Sequence, residues 1–193
     1  MQNHQKECNL LIKKIGTRVG YAGGTQPNPT YHKLGDHTET LQVDFDPTVI
    51  SYSQMLQIFW ENHNPSHSAW SRQYMAAVFY HNQEQKEAID QSLASIAPQI
   101  RGSIQTKVMP YTGFTLAEDY HQKYILRRSS ALLKEFQRMY PGLEGFVDST
   151  AAARLNGYLA GHGGCDRLQA EIDDFGLSSE GRKQLLQAVC GRR

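Results

Sequence analysis

Apolar residues recur along this chain with two periods, and the points where the period changes mark where strands give way to helices. Leu11, Ile12 and Ile15 fall at helical spacing opposite Lys13 and Lys14, which predicts a short amphipathic helix over 4–15. Period two takes over at 17–21 and again at 38–44. In the second run Leu41, Val43 and Phe45 alternate with Thr40, Gln42 and Asp44, so both stretches read as strands. Asp46-Pro47 stops the second, and Ser51 is placed to cap a helix over 52–62 whose Met55, Ile58, Phe59 and Asn62 recur at three and four. A short strand at 76–80 precedes a helix over 83–96, opened by Asn82 and closed at Pro98. Alternation returns at 103–108. The stretch 115–128 reads as a helix with Glu118 and Asp119 near its positive end.

Beyond Ser129 only helical periods remain. Leu132, Leu133 and Phe136 form one stripe, ended by Pro141-Gly142, and Asp148 or Ser149 is placed to cap a helix over 150–159. Leu168, Ile172 and Phe175 carry the next helix, which Gly176 ends, and Ser178 opens the last one through Leu185, Leu186 and Val189. The expected fold class is α+β: a two-layer α/β sandwich, ferredoxin-like, with a mixed sheet flanked by helices over 1–128 and a helical extension over 129–193.

Composition narrows the function classes more than it names one. The chain has 193 residues, enough to bury a core without disulfides or metals, and 20 basic residues stand against 19 acidic ones. That balance argues against nucleic acid or an anionic membrane as partner, and no apolar run approaches the roughly 20 residues of a membrane span. The start, M-Q-N-H-Q-K-E, lacks an apolar leader, so the cytoplasm is the expected compartment. Three cysteines, Cys8, Cys165 and Cys190, are too few and odd for a secreted disulfide framework, which leaves redox chemistry or packing as their uses. His37, His63 and His121 share no short ligand spacing, so neither a metal nor a cofactor is expected.

The most informative stretch is 17–39. Gly23-Gly24 breaks the first strand, and Pro27 and Pro29 stiffen the loop that delivers Tyr31, with Glu39 at the mouth of the next strand. Taken alone it fits an ordinary Gly/Pro loop between two strands better than a site. A series of blocks decides more: G-Y-A-G-G, N-P-T-Y and H-T-E, then Phe45-Asp46-Pro47 and I-S-Y, then F-W-E-N-H-N-P at 59–65, R-Q-Y at 72–74 and A-E-D-Y-H-Q-K-Y at 117–124. In this order they resemble the type A peptide methionine-S-sulfoxide reductases, over roughly 16–126.

The resemblance implies an enzyme that removes the oxygen of methionine-S-sulfoxide, in oxidised proteins or as the free amino acid, with thioredoxin as reductant. It puts Tyr31, Glu39 and Tyr74 at the positions of two phenols and a carboxyl that hydrogen-bond the sulfoxide oxygen. A carboxyl enclosed with phenols in apolar surroundings keeps its proton more readily and can donate near neutral pH. The family's nucleophilic cysteine lies in a G-C-F-W block about twenty residues ahead of the position of Gly20, and no such block occurs in the nineteen residues here. Cys8 is the one cysteine upstream, inside the expected helix. Cys165, after N-G-Y-L-A-G-H-G-G, resembles the mobile stretch that carries a resolving thiol in relatives. Between Pro65 and Tyr74 an Asp of the family pattern is missing, and Trp70 is placed to supply part of an apolar wall. Three readings stay open: a reductase whose nucleophile is lost from this chain, an inactive relative that binds oxidised methionine or a protein partner, and a reductase that recruited Cys8.

Overall fold

A computed structural model describes residues 15–191; the helix expected over 4–15, apart from Ile15, and Cys8 lie outside the described residues. Strands β1 (Ile15–Ala22) and β2 (Thr38–Phe45) are followed by helix α1 (Tyr52–Glu61), β3 (Ala77–Tyr80), α2 (Gln83–Ile96), β4 (Lys107–Pro110) and β5 (Phe114–Leu116). Six α-helices follow among the described residues: α3 (Tyr124–Arg127), α4 (Ser130–Met139), α5 (Leu143–Asp148), α6 (Thr150–Leu159), α7 (Cys165–Glu171) and α8 (Ser179–Cys190). The fold is mixed α+β. One sheet runs β2-β1-β5 with β1 and β5 antiparallel, while β3 and β4 pair in parallel.

The residues divide into two compact units. Val19–Thr40 and Pro47–Glu118 make one; the start of β1, Leu41–Asp46 and the chain from Asp119 onward make the other. The chain passes into the helical unit after Glu118.

In the first unit Leu56, Trp60 and Ile89 form a core joining α1 to α2, with Phe59, Val78, Tyr80 and Val108 packed against it. Both helices start where polar side chains can take orphan amides. Ser51 and Gln54 form a reciprocal capping box on α1, and Asn82 accepts from the Gln85 amide on α2. Strand β4 starts later than the alternation at 103–108 suggests, because the amides of Gln105 and Thr106 both go to the carbonyl of Pro65 instead of a neighbouring strand.

The helix expected over 115–128 is not there. Phe114, Thr115 and Leu116 pair instead with Ala22, Tyr21 and Gly20; a three-residue 3-10 turn at Asp119–His121 and a four-residue helix follow, the helix behind Lys123 in the left-handed region at φ 52. Gly20 permits this. A Cβ there would lie 2.2 Å from the Thr115 carbonyl oxygen and 2.3 Å from the Phe114 ring, so any side chain would push β5 away.

The second unit is built round α6, buried from Ala152 to Leu159. Leu126, Leu132, Phe136, Leu155, Leu168, Phe175 and Leu185 complete its apolar core. Two buried polar side chains of α6 have partners: Asn156 accepts from the amides of Ile125 and Leu126, and the Arg154 guanidinium meets Glu171 and lies 5.6 Å over the Phe175 ring. Ser149 caps α6, while Asp148 pairs with Arg18 at 2.6 Å. A disulfide joins Cys165 at the start of α7 to Cys190 at the end of α8.

Lys123 is wholly enclosed in this unit, its ammonium directed at the carbonyl and the hydroxyl of Thr17. Burial brings its pKa down to about 7, opposed by Asp148 and aided by Arg18. Between about pH 7 and the ordinary lysine range near 10.4, the unfolded chain carries a proton here that the folded chain does not. Stability therefore rises with pH across that window and is lowest below it, by roughly 1.4 kcal/mol per pH unit for one full proton. Lys123→Met is expected to flatten this slope in urea titrations between about pH 7 and about pH 10; equal slopes for both proteins would show that Lys123 folds charged.

Candidate functional site

The site begins where β1 ends. Gly23 turns the backbone at φ 75, and a Cβ on Gly24 would lie 2.5 Å from the Asp36 carboxylate and 2.6 Å from the His37 ring, so both glycines are required, for different reasons. Asp36 closes the loop at its base: it accepts from the amides of Thr25 (2.8 Å) and Gln26 (3.0 Å) and from the Thr25 hydroxyl (2.9 Å). These bonds, the Gln26 amide foremost and then that of Thr25, hold the carboxyl well below the usual carboxylate range. His37 Nε2 lies 2.8 Å from the Gln26 carbonyl oxygen.

Within the loop the chain does not run straight. Asn28, between Pro27 and Pro29, takes φ 50, a conformation that asparagine tolerates better than most residues. Thr30 and Lys33 then pair across a tight turn whose tip is Tyr31 and His32. The Tyr31 amide donates to Glu118 Oε1 at 2.9 Å, and the hydroxyl of the buried Tyr21 donates to Glu118 Oε2 at 2.6 Å. One carboxylate thus ties the tip of the loop to the inner strand.

Tyr74 arrives on a three-residue turn, Arg72–Tyr74, held from three directions. Arg72 donates to the carbonyls of Gly23 and Asp36, the Gln73 amide group donates to Glu39 Oε1 at 2.7 Å, and the Thr38 hydroxyl donates to the Gln73 carbonyl at 3.0 Å. The Tyr74 phenol is held above its ordinary pKa by desolvation first, then by the Glu39 carboxylate, then by Tyr31, with which it shares a hydrogen bond. Tyr31, Glu39 and Tyr74 therefore meet. Such a group sets two phenol hydroxyls beside one carboxyl group, where a small polar ligand could meet them together.

Tyr74 is 43% exposed, and the Trp70 ring, 81% exposed, lies against it with centroids 5.0 Å apart. Other residues singled out in the sequence lie elsewhere. Cys165 is bonded to Cys190 in the helical unit, and His63 bridges the Phe59 carbonyl and the Thr106 hydroxyl, its pKa lowered by burial. Among the described residues no group of three or more His, Cys, Asp or Glu is arranged to hold a metal ion, and no helix is long and apolar enough to cross a membrane. Sequence reading passed over Arg72, Gln73 and Glu118. The first two stand beside Tyr74 in R-Q-Y, and Glu118, which the sequence puts near a helix start, is the strut of the Tyr31 loop.

A sequence profile of the family described as peptide methionine sulfoxide reductase matches residues 12–154, so the likeness runs on into the helical unit. The peptide methionine sulfoxide reductase of Drosophila melanogaster is 41% identical over 174 residues, which is 88% of this chain and 68% of that protein. Mxr1 from Saccharomyces cerevisiae in its reduced form superposes with a TM-score of 0.55 at 26% identity, over 59% of this chain and 71% of that one. Methionine sulfoxide reductase A of Corynebacterium diphtheriae gives 0.50 at 27% identity, over 61% and 66%. The chain spans about two thirds of the length of the curated relatives it matches most fully.

Glu118→Ala is expected to cost about 1–3 kcal/mol in urea unfolding, the scale for removing a part-buried acceptor from its donors. It should also speed hydrogen exchange at the Tyr31 amide. An unchanged exchange rate there would mean that the loop tip is held by something other than Glu118.

Proposed function

Because the chain belongs to the peptide methionine sulfoxide reductase family, an oxidoreductase family, we propose that Tyr31, Glu39 and Tyr74 grip the sulfoxide oxygen of methionine-S-sulfoxide. The observation that carries this is geometric: the Tyr74 phenol shares a hydrogen bond with Tyr31, and Gln73, the residue before it, donates to Glu39. A sulfoxide oxygen is a strong, compact acceptor. Donors that converge on it draw electron density from sulfur and leave that sulfur open to a thiolate.

Reduction then follows thiol chemistry. A thiolate attacks the sulfoxide sulfur, the oxygen passes to the thiol as a sulfenic acid, and the thioether leaves; a second thiol forms a disulfide with release of water. Thioredoxin, a dithiol, supplies the two electrons that reopen it. We assign the oxygen grip to the reductase domain over 1–128 and a resolving role to Cys165 in the extension over 129–193, where its bond to Cys190 must first be reduced. The near-neutral charge and sparse cysteines support work in the cytoplasm, on oxidised proteins or free methionine sulfoxide.

The attacking sulfur is the point on which two readings divide. No G-C-F-W block stands ahead of Gly20 in the given residues, so a relative that binds oxidised methionine or a partner without turning it over shares the same grip. Cys8 as substitute nucleophile is tested by Cys8→Ser in a dithiothreitol assay. Binding tests the grip itself: the 193-residue chain is expected to take N-acetylmethionine-S-sulfoxide in preference to the R epimer in NMR titrations. Glu39→Gln with Tyr74→Phe should weaken that binding about tenfold. In a chain given a G-C-F-W block ahead of β1, Glu39→Gln should cut turnover by well over about tenfold. Unchanged binding and turnover would remove these residues from the site.

A further inference from the structure

Trp70 has no place in the oxygen grip, yet it is the most exposed large apolar side chain among the described residues, at 81%, while Trp60 is 6% exposed. It is also firmly based. Ahead of it Asn64 Oδ1 takes the amide and hydroxyl of Ser66, and the Pro65 carbonyl takes the amides of Gln105 and Thr106. Just behind it the Arg72–Tyr74 turn is tied to Gly23, Asp36, Glu39 and Thr38. An indole kept in water on a backbone held at both ends has little conformational freedom to lose when something covers it, which is the property of an aromatic recognition anchor.

Its position says what covers it. The ring lies against Tyr74, with centroids 5.0 Å apart, and Tyr74 is one of the three groups proposed above to hold the sulfoxide oxygen. The sulfur of a methionine side chain is on the order of 4 Å from its Cα. A residue whose S=O is held by Tyr74 therefore brings its own backbone, and the residues on either side, to the neighbourhood of the indole. A broad, flat, amphipathic ring suits a peptide backbone and its apolar flanks better than the ammonium and carboxylate of a free amino acid, which keep their water.

We propose, resting on the sulfoxide-binding reading above, that Trp70 is the specificity-determining contact for methionine sulfoxide within a flexible polypeptide segment as opposed to the free amino acid. The indole takes the peptide chain beside the oxidised residue, and Tyr74 takes its oxygen.

The test compares two ligands by calorimetry and by fluorescence: a pentapeptide with a central methionine-S-sulfoxide between apolar residues, and free methionine-S-sulfoxide, with the unoxidised pentapeptide as control. The wild-type chain is expected to bind the oxidised pentapeptide about tenfold more tightly than the free amino acid, with a blue shift of the exposed tryptophan's emission. Trp70→Ala should erase about tenfold of the pentapeptide affinity and leave free methionine-S-sulfoxide within about twofold; Trp70→Phe should recover most of the loss. Equal losses for both ligands, or no loss for the pentapeptide while the wild type binds it, overturn the role of Trp70 and leave the oxygen grip standing. If the wild type binds neither oxidised ligand, the grip fails and this role fails with it.

Discussion

The guanidinium of Arg72 is the constraint on which the phenol-and-carboxyl site depends. It donates to the carbonyl of Gly23, at the break after β1, and to the carbonyl of Asp36, at the far base of the same loop. One planar cation thereby fixes the width of a loop from outside and carries the next residues, Gln73 and Tyr74, to the start of β2. Asp36 fixes that loop from inside with the amides of Thr25 and Gln26, so the base is held by charge-assisted bonds on both sides. With the base set, Glu118 needs only to take the Tyr31 amide for the tip to be placed as well.

The site is thus assembled by backbone groups more than by apolar packing. Tyr31, Glu39 and Tyr74 are all partly open to water, and each is positioned through a neighbour's hydrogen bond: Glu118 for the first, Gln73 for the second, Arg72 for the third. A cluster that stays open to water does not fill its own space with side chains. Directional bonds hold the lining where packing cannot, and Trp70 beside Tyr74 shows that a large ring can stay in solvent when its backbone is pinned at both ends.

The helical unit solves a different problem. Its core is apolar, but α6 carries Arg154 and Asn156 into it, and Lys123 is enclosed nearby. Each charge or amide has a specific use: Asn156 stops the orphan amides at the start of α3, Arg154 meets Glu171, and Lys123 reaches back to Thr17 on β1. Burial without such partners would cost far more than the core gains from these residues. The bond between Cys165 and Cys190 ties the first residue of α7 to the last of α8, and so places both sulfurs on the helical unit's own framework.

The order of elements was legible in the residues alone wherever a local rule was at work. Ser51, Asn82 and Ser178 cap the helices their side chains predict, and α2 occupies 83–96 because its stop, its cap and its apolar period are all local. The blocks around Tyr31, Glu39 and Tyr74 likewise carried the family in their order. What tertiary structure decided was every position whose fate lies with a distant partner. Thr115 to Arg128 has the composition of a helix, yet its first part became β5 because Gly20 leaves room for a strand there, and Glu118 left a helix end to serve Tyr21 and Tyr31. The turn at Asn28, the pairing of Cys165 with Cys190 and the span of Arg72 have the same origin. Caps and periods are set by residues a few positions apart, whereas a strand's neighbour, a cation's two carbonyls and a thiol's partner are chosen only when the chain has folded back on itself.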